Sequence, residues 1–300
     1  MPTLARDMIL MLILAVMWSS SFTAIKVGAD ALPPTTFAML RVVIAAVVIF
    51  AWLKIARRRL TADPRLWLSF LLIGLFGNVI PFILINWGEQ EIPSGLAAIL
   101  IAVMPISALL LGRLMADEIL NVRRAVGIFL GFAGVVVLIG PEELLALGDN
   151  VMRQLAVAGA AVCYAIAAIL VRKLPTAKPT EHGTGVLIAS AAVLVALSVA
   201  IDRPWILDYD FDALAAAAYL GVFPTALATL FLMIVVASRG VTFLALNNYL
   251  IPVLGVAWGY LFLDEPVGGD AAVALVLILA GVALAGGGPG TRKDLARETA

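Results

Sequence analysis

Along the chain, long apolar runs alternate with short polar connections. Ten runs stand out, at 8–27, 36–53, 67–87, 94–115, 125–140, 155–171, 184–201, 213–237, 242–263 and 271–287. A helix needs roughly 20 apolar residues to cross the hydrocarbon core of a bilayer, and lipid tolerates no unpaired backbone. Each run therefore predicts a transmembrane helix, the fifth, sixth and tenth being short. The first run is longer than a signal-peptide core and lacks a clear small-x-small cleavage site, so a retained helix is expected. The pattern predicts an all-α polytopic membrane protein with ten transmembrane helices.

Composition agrees with a lipid solvent. Of 300 residues 63% are hydrophobic and 13% charged, against about 45–50% and about 25% in an ordinary globular chain. The formal net charge of zero points to no particular partner, but the placement of the basic residues orients the chain. Sixteen of the twenty Lys and Arg fall on one side of the predicted threading, among them Arg6, the group Lys54 to Arg65, Arg123, Arg124, Arg172, Lys173 and the C-terminal Arg292, Lys293 and Arg297. Both termini are thus expected in the cytoplasm, with the protein integral to the plasma (bacterial inner) membrane. One cysteine, Cys163, excludes an intrachain disulfide and a multi-cysteine metal site. No cofactor, metal, catalytic residue or nucleic-acid partner is expected. The expected partners are a small-molecule substrate and the bilayer, with the chain as a monomer.

The sequence also repeats. Shifted by 147 positions, Gly74 falls on Gly221, Phe76 on Phe223, Pro105 on Pro252, Gly112 on Gly259 and Asp117-Glu118 on Asp264-Glu265. Shifted by 146, Trp18 falls on Tyr164 and Lys26 on Arg172. Residues 1–147 and 148–300 therefore read as two repeats of five helices each, and an odd number gives the second the opposite orientation. Inverted repeats point to a carrier whose substrate site lies near the midplane between the halves.

The run Trp18-Ser19-Ser20-Ser21-Phe22-Thr23-Ala24-Ile25-Lys26 resembles the opening helix of the EamA family in the drug/metabolite transporter superfamily. So do Pro105 with Ala116-Asp117-Glu118 and Pro252 with Leu263-Asp264-Glu265. Where the family usually has Gly after the first Trp, this chain has Ser19. Within the family the chain is most similar to the YddG-type exporters of aromatic and other neutral amino acids. The resemblance covers essentially the whole chain, and implies that spans 1–4 and 6–9 line a central cavity while spans 5 and 10 lie outside.

Two sequence signals mark the cavity. A proline inside a helix lacks an N–H and frees the carbonyl four residues earlier, so Pro81, Pro105, Pro224 and Pro252 are assigned to helix kinks and gating, together with Glu118 and Glu265. The second signal is polar residues four apart, which share a helix face. Asn78, Phe82 and Asn86 form such a stripe in span 3, and Thr225 and Thr229 occupy the shifted positions in span 8. With Trp18, Ser21, Tyr164, Asn247 and Tyr249 they make up the expected substrate-binding set. Asn248 is assigned to helix packing. Pro252 repeats Pro105, whereas Asn247, Asn248 and Tyr249 fall on Leu100, Ile101 and Ala102. The backbone break is therefore expected in both halves and the amide-rich chemistry in one.

Charge inside the spans is scarce. Arg41 is the lone intraspan charge and is read as snorkelling or tying helices together ahead of binding a carboxylate. No titratable carboxylate or histidine is evident within a span and no phosphate-binding loop exists, so uncoupled or exchange transport is expected, with Glu89 and Glu91 left as the groups that would relay protons. The reading is a secondary carrier working by alternating access, which exports small neutral or zwitterionic metabolites, amino acids including aromatic ones foremost. An exporter of drugs or other amphiphilic metabolites is the alternative. An intramembrane enzyme would need a nucleophile–base or metal constellation that His182 and Cys163 do not supply.

Overall fold

The computed structural model describes residues 2–115, 122–139, 149–175, 177–239 and 247–286, and among these the chain is helical, without strands. Helices α1 (Pro2–Ala29) and α2 (Pro34–Ile55) are followed by α3 (Pro64–Gly74), which passes through a π-helical turn at Leu75–Val79 into α4 (Ile80–Glu89). Then come α5 (Ser94–Ile101), α6 (Met104–Met115), α7 (Val122–Ile139), α8 (Asp149–Lys173) and α9 (Pro179–Ile201). Helix α10 (Phe211–Leu220) passes through a second π-helical stretch, Gly221–Leu227, into α11 (Ala228–Arg239), and α12 (Asn247–Leu263) and α13 (Gly269–Gly286) close the described chain. Pro34, Pro64 and Pro179 stand at the first helical position, where a missing N–H leaves nothing unsatisfied that the helix would have paired.

Among the described residues, six helical stretches are long and apolar enough to cross a membrane: 5–29, 34–55, 64–89, 150–173, 179–201 and 211–235. Four shorter apolar helices lie at 94–108, 125–134, 250–263 and 269–281. Large apolar side chains such as Val47, Phe129, Phe211 and Val276 are exposed on the outside, an arrangement suited to lipid contact.

Proline explains part of the helix geometry. Pro224 lies inside the second π-helical stretch, and Pro81 follows the first by two residues. At Pro224 the Leu220 carbonyl, which would have met the proline N–H, must find another donor, and the wider turn brings the next residue's N–H to it; in the first stretch the wide turn closes earlier, the Ile80 N–H meeting the Leu75 carbonyl. At Pro105 the helix breaks outright. The N–H groups of Ala102 and Val103 turn back to the carbonyls of Ile99 and Leu100 at 3.0 and 3.2 Å, and the helix restarts at Met104. At Pro252, in contrast, α12 runs unbroken from Asn247 to Leu263. Among the described residues the expected break is thus present at Pro105 and absent at Pro252.

Glycines set how closely the helices approach. A Cβ on Gly221 would lie 2.7 Å from the Arg41 carbonyl and 2.7 Å from Ile44 Cβ, so its absence lets α2 press against the start of the π stretch. Gly74 plays the same part on the other side, facing Ser190 Oγ and the Val186 carbonyl of α9. Helices α7 and α13 pack backbone to backbone, since a Cβ on Gly281 would stand 2.6 Å from the Gly127 carbonyl, the small-residue contact favoured between helices in lipid.

Candidate functional site

A cavity of about 470 Å³ lies between α1, α2, α4, α5, α6, α8, α11, α12 and the two π-helical stretches, a volume within the range of small-molecule sites. Among the described residues, α7, α9 and α13 contribute nothing to its lining. Its walls are chiefly apolar and aromatic, with Trp18, Phe22, Ile25, Phe82, Ile85, Ile101, Met104, Leu232 and Ile251.

Of the residues expected to bind substrate, the structure brings Trp18, Ser21, Asn78, Phe82, Tyr164, Thr225, Thr229 and Asn247 to this one cavity, together with Pro224. Asn86 is elsewhere: it is 1% exposed and its Nδ2 donates to the Pro34 carbonyl at 3.0 Å, holding α4 to the start of α2. The reason is helical drift. Eight residues along an α-helix rotate a side chain by roughly 80°, whereas seven rotate it by roughly 20°, so Ile85 and not Asn86 continues the face of Asn78. Pro81, Pro252 and Glu265 are outside the lining. The side chains of Pro105, Asn248 and Tyr249, and the whole of Glu118, lie outside the described residues.

The sequence reading left out Arg41 as a site residue, yet it lines the cavity and is 6% exposed. Its Nε donates to Thr225 Oγ1 at 2.9 Å, and its guanidinium carbon lies 3.9 Å from the centroid of the Phe82 ring. The Thr225 hydroxyl in turn donates to the Leu220 carbonyl at 2.7 Å, the acceptor that Pro224 leaves without its N–H. One hydroxyl thereby gives that carbonyl a further donor and offers its lone pair to Arg41.

The other polar groups divide by what they have left to give. Ser21 Oγ donates to the Trp18 carbonyl, Thr229 Oγ1 to the Thr225 carbonyl at 2.6 Å, and Asn78 Nδ2 to Ser190 Oγ at 3.1 Å. Ser21 and Thr229 thereby use their one hydroxyl hydrogen within the protein and keep oxygen lone pairs, whereas Asn78 keeps a second amide hydrogen. Asn247 is 1% exposed, and among the described residues neither its Oδ1 nor its Nδ2 has a hydrogen-bond partner. A buried amide left unpaired is costly, so this one stands ready for a ligand.

Carboxylates lie at one end of the bundle rather than in the cavity. Glu89, the last residue of α4, is fully buried, with no hydrogen bond to either oxygen among the described residues. Its neighbour Glu91 has a half-exposed side chain 4.0 Å from Arg153 Nη2. Lys26 Nζ donates to the Glu89 carbonyl at 2.7 Å and to the Gln90 carbonyl at 3.2 Å. Glu265, beyond α12, accepts from the Ser94 N–H at 2.7 Å, the Ser94 hydroxyl at 3.0 Å and the Gly95 N–H at 3.0 Å.

The sequence model of the EamA-like transporter family matches residues 6–140 and again 152–287. The chain is 23% identical to the uncharacterised transporter YoaV of Bacillus subtilis, over 88% of this chain and 91% of that one. It is 28% identical to an uncharacterised transporter of Archaeoglobus fulgidus, over 88% and 93%. A probable terminal-alkyne amino-acid exporter of Streptantibioticus cattleyicolor is 25% identical, over 90% and 89%. In three dimensions a crystal structure with 21% sequence identity superposes with a TM-score of 0.66, covering 93% of this chain and 97% of that one, which establishes a shared fold.

Proposed function

From the premise that the chain belongs to the EamA-like transporter family, and is therefore a membrane transporter, we propose that it carries small zwitterionic metabolites, chiefly amino acids with apolar or aromatic side chains. The observation that carries this reading is the cavity itself: apolar and aromatic walls, a few polar groups, and a single charge, Arg41, among the described lining residues. Phosphorylated substrates call for several cations, and this lining holds one. The amino-acid exporter among the relatives supports the same class, as does the similarity to the YddG-type exporters.

The transport cycle proposed is alternating access between two inverted five-helix repeats, 1–147 and 148–300, in the plasma membrane with both termini cytoplasmic. Supporting it, the family matches twice along the chain, and the π-helical turn at 75–79, shifted by 147, falls within that at 221–227. On this threading Glu265 and Ser94 lie on the outer side, where their contact holds the outer gate shut. Transport runs without proton coupling and serves export.

The test is flux in proteoliposomes loaded with labelled neutral amino acids, with and without a pH gradient. Efflux of phenylalanine and its aliphatic counterparts at a rate indifferent to the gradient is expected. Absence of flux for every neutral amino acid would remove the substrate assignment, and strict dependence on the gradient would remove the uncoupled cycle.

A further inference from the structure

Arg41 has a surplus that the fold does not use. Among the described residues its guanidinium makes one hydrogen bond, from Nε, and no ion pair. Phe82 stacks on its face, which leaves the Nη1 and Nη2 hydrogens uncommitted beside an open cavity. A desolvated cation with no carboxylate in direct contact is costly to keep. The arrangement around it is nevertheless built: Gly221 admits α2 at the level of the Arg41 carbonyl, and Thr225 fixes the Nε edge.

The remaining polar atoms of the lining complete a pattern. Ser21 and Thr229 have used their hydrogens on backbone carbonyls of their own helices and offer oxygen lone pairs. Asn247 offers an amide whose two polar atoms have no partner among the described residues. The cavity thus presents one cation with a free two-pronged edge and several neutral acceptors, with no carboxylate among its described lining residues.

We infer that Arg41 anchors the substrate carboxylate in a two-point contact through Nη1 and Nη2, and that the substrate ammonium is received by the oxygens of Ser21, Thr229 and Asn247. This rests on the reading of the cavity as the transport site and sharpens it. A guanidinium matches a carboxylate bidentately, whereas neutral oxygens alone hold an ammonium without fixing its orientation. The carboxylate is therefore the obligatory group, and amines or amino-acid amides of the same shape are rejected although their charge is that of many amphiphilic drugs.

The experiment measures binding to the full-length protein of phenylalanine, of 3-phenylpropionate, which lacks the ammonium, and of phenylalaninamide, which lacks the carboxylate. For the native protein, phenylalanine binding roughly 30-fold or more tighter than the amide is expected, the scale of an unpaired buried charge. Arg41→Gln should abolish that preference by weakening phenylalanine, with Arg41→Lys intermediate. Equal affinity for phenylalanine and its amide in the native protein overturns the assignment without needing a variant that folds. Undiminished phenylalanine binding by a folded Arg41→Gln protein overturns it as well. Binding of phenylpropionate lost in Arg41→Gln, in a protein that binds no amino acid, upholds the anchor and discards the amino-acid substrate. No binding of either carboxylate to the native protein overturns both.

Discussion

The carboxylate of Glu265 grips the start of a helix 171 residues earlier in the chain, taking both the N–H and the hydroxyl of Ser94, at 2.7 and 3.0 Å. The Gly95 N–H joins them at 3.0 Å. Three donors and the positive end of the α5 dipole converge on one anion, and Gly259 makes the space, since a Cβ there would collide with Glu265 Oε2. Glu265→Ala is expected to cost about 2–3 kcal/mol, the scale of hydrogen bonds to a charged group. Thermal unfolding in detergent checks this. Gly259→Ala should lower the transition too, because the clash displaces the same carboxylate.

If that contact is the outer gate, releasing it changes which side of the membrane reaches the cavity. Glu265→Gln retains an acceptor oxygen and loses the charge. A cysteine placed at Ser21 in this variant should react faster with a membrane-impermeant thiol reagent applied from outside than the same cysteine in the native background. An unchanged rate would leave Glu265 as a helix cap and nothing more.

Thr225 is expected to matter out of proportion to its size. Thr225→Val keeps the shape but removes the donor to the Leu220 carbonyl and the acceptor for Arg41 Nε. A loss of about 1–3 kcal/mol is expected from the groups left unpaired, with a raised KM for phenylalanine efflux. Thr225→Ser, which restores the hydroxyl, should recover most of both.

Glu89 distinguishes a coupled from an uncoupled cycle. It is buried and without a hydrogen-bond partner among the described residues, so removing its charge should not destabilise the fold: Glu89→Gln is expected to unfold at the same temperature or higher. Flux of phenylalanine in proteoliposomes should ignore a pH gradient in both proteins. Gradient-driven flux in the native chain that disappears in Glu89→Gln would make this carboxylate the proton carrier.

Helix approach supplies a fifth prediction. Gly221→Ala places a methyl group 2.7 Å from the Arg41 carbonyl, and overpacking of this kind costs about 1–3 kcal/mol. Since the strain falls on the segment that carries the guanidinium, flux should fall more than stability. Gly281→Ala, which crowds the Gly127 carbonyl at the α7–α13 contact, should reduce stability and leave substrate preference untouched.

The parts of this site that were legible in the sequence are those encoded by one helix at a time. Asn78 with Phe82, Thr225 with Thr229, and Trp18 with Ser21 are neighbours on a helix face, and each pair meets the cavity. Asn86 escaped because spacing by four drifts around the helix, and extending the stripe by a second step overshot. Arg41 was legible as a charge in an apolar run but not as a site, since what decides its role lies on other helices: Phe82 beneath it and Thr225 beside it, 41 and 184 positions along the chain. Glu265 was legible as a gating candidate at the end of span 9, yet nothing local named Ser94 as its partner. The two prolines at 105 and 252 match in the sequence, yet the helix is interrupted just before the first and continuous through the second.

The two π-helical stretches bear on how this chain compares with its relatives. A turn closed five residues back holds about one residue more than an α-turn, so deleting one residue within 221–227 would let ordinary helix form while everything beyond it kept the face it presents. Pro224 and Thr225, which line the cavity from inside this stretch, would then lose their places in its wall while the span stayed apolar and still long enough to cross. A one-residue gap in this stretch, which would pass as alignment noise between proteins 23–28% identical, is therefore a change of pocket, and sequence length here carries information about substrate that residue identity does not.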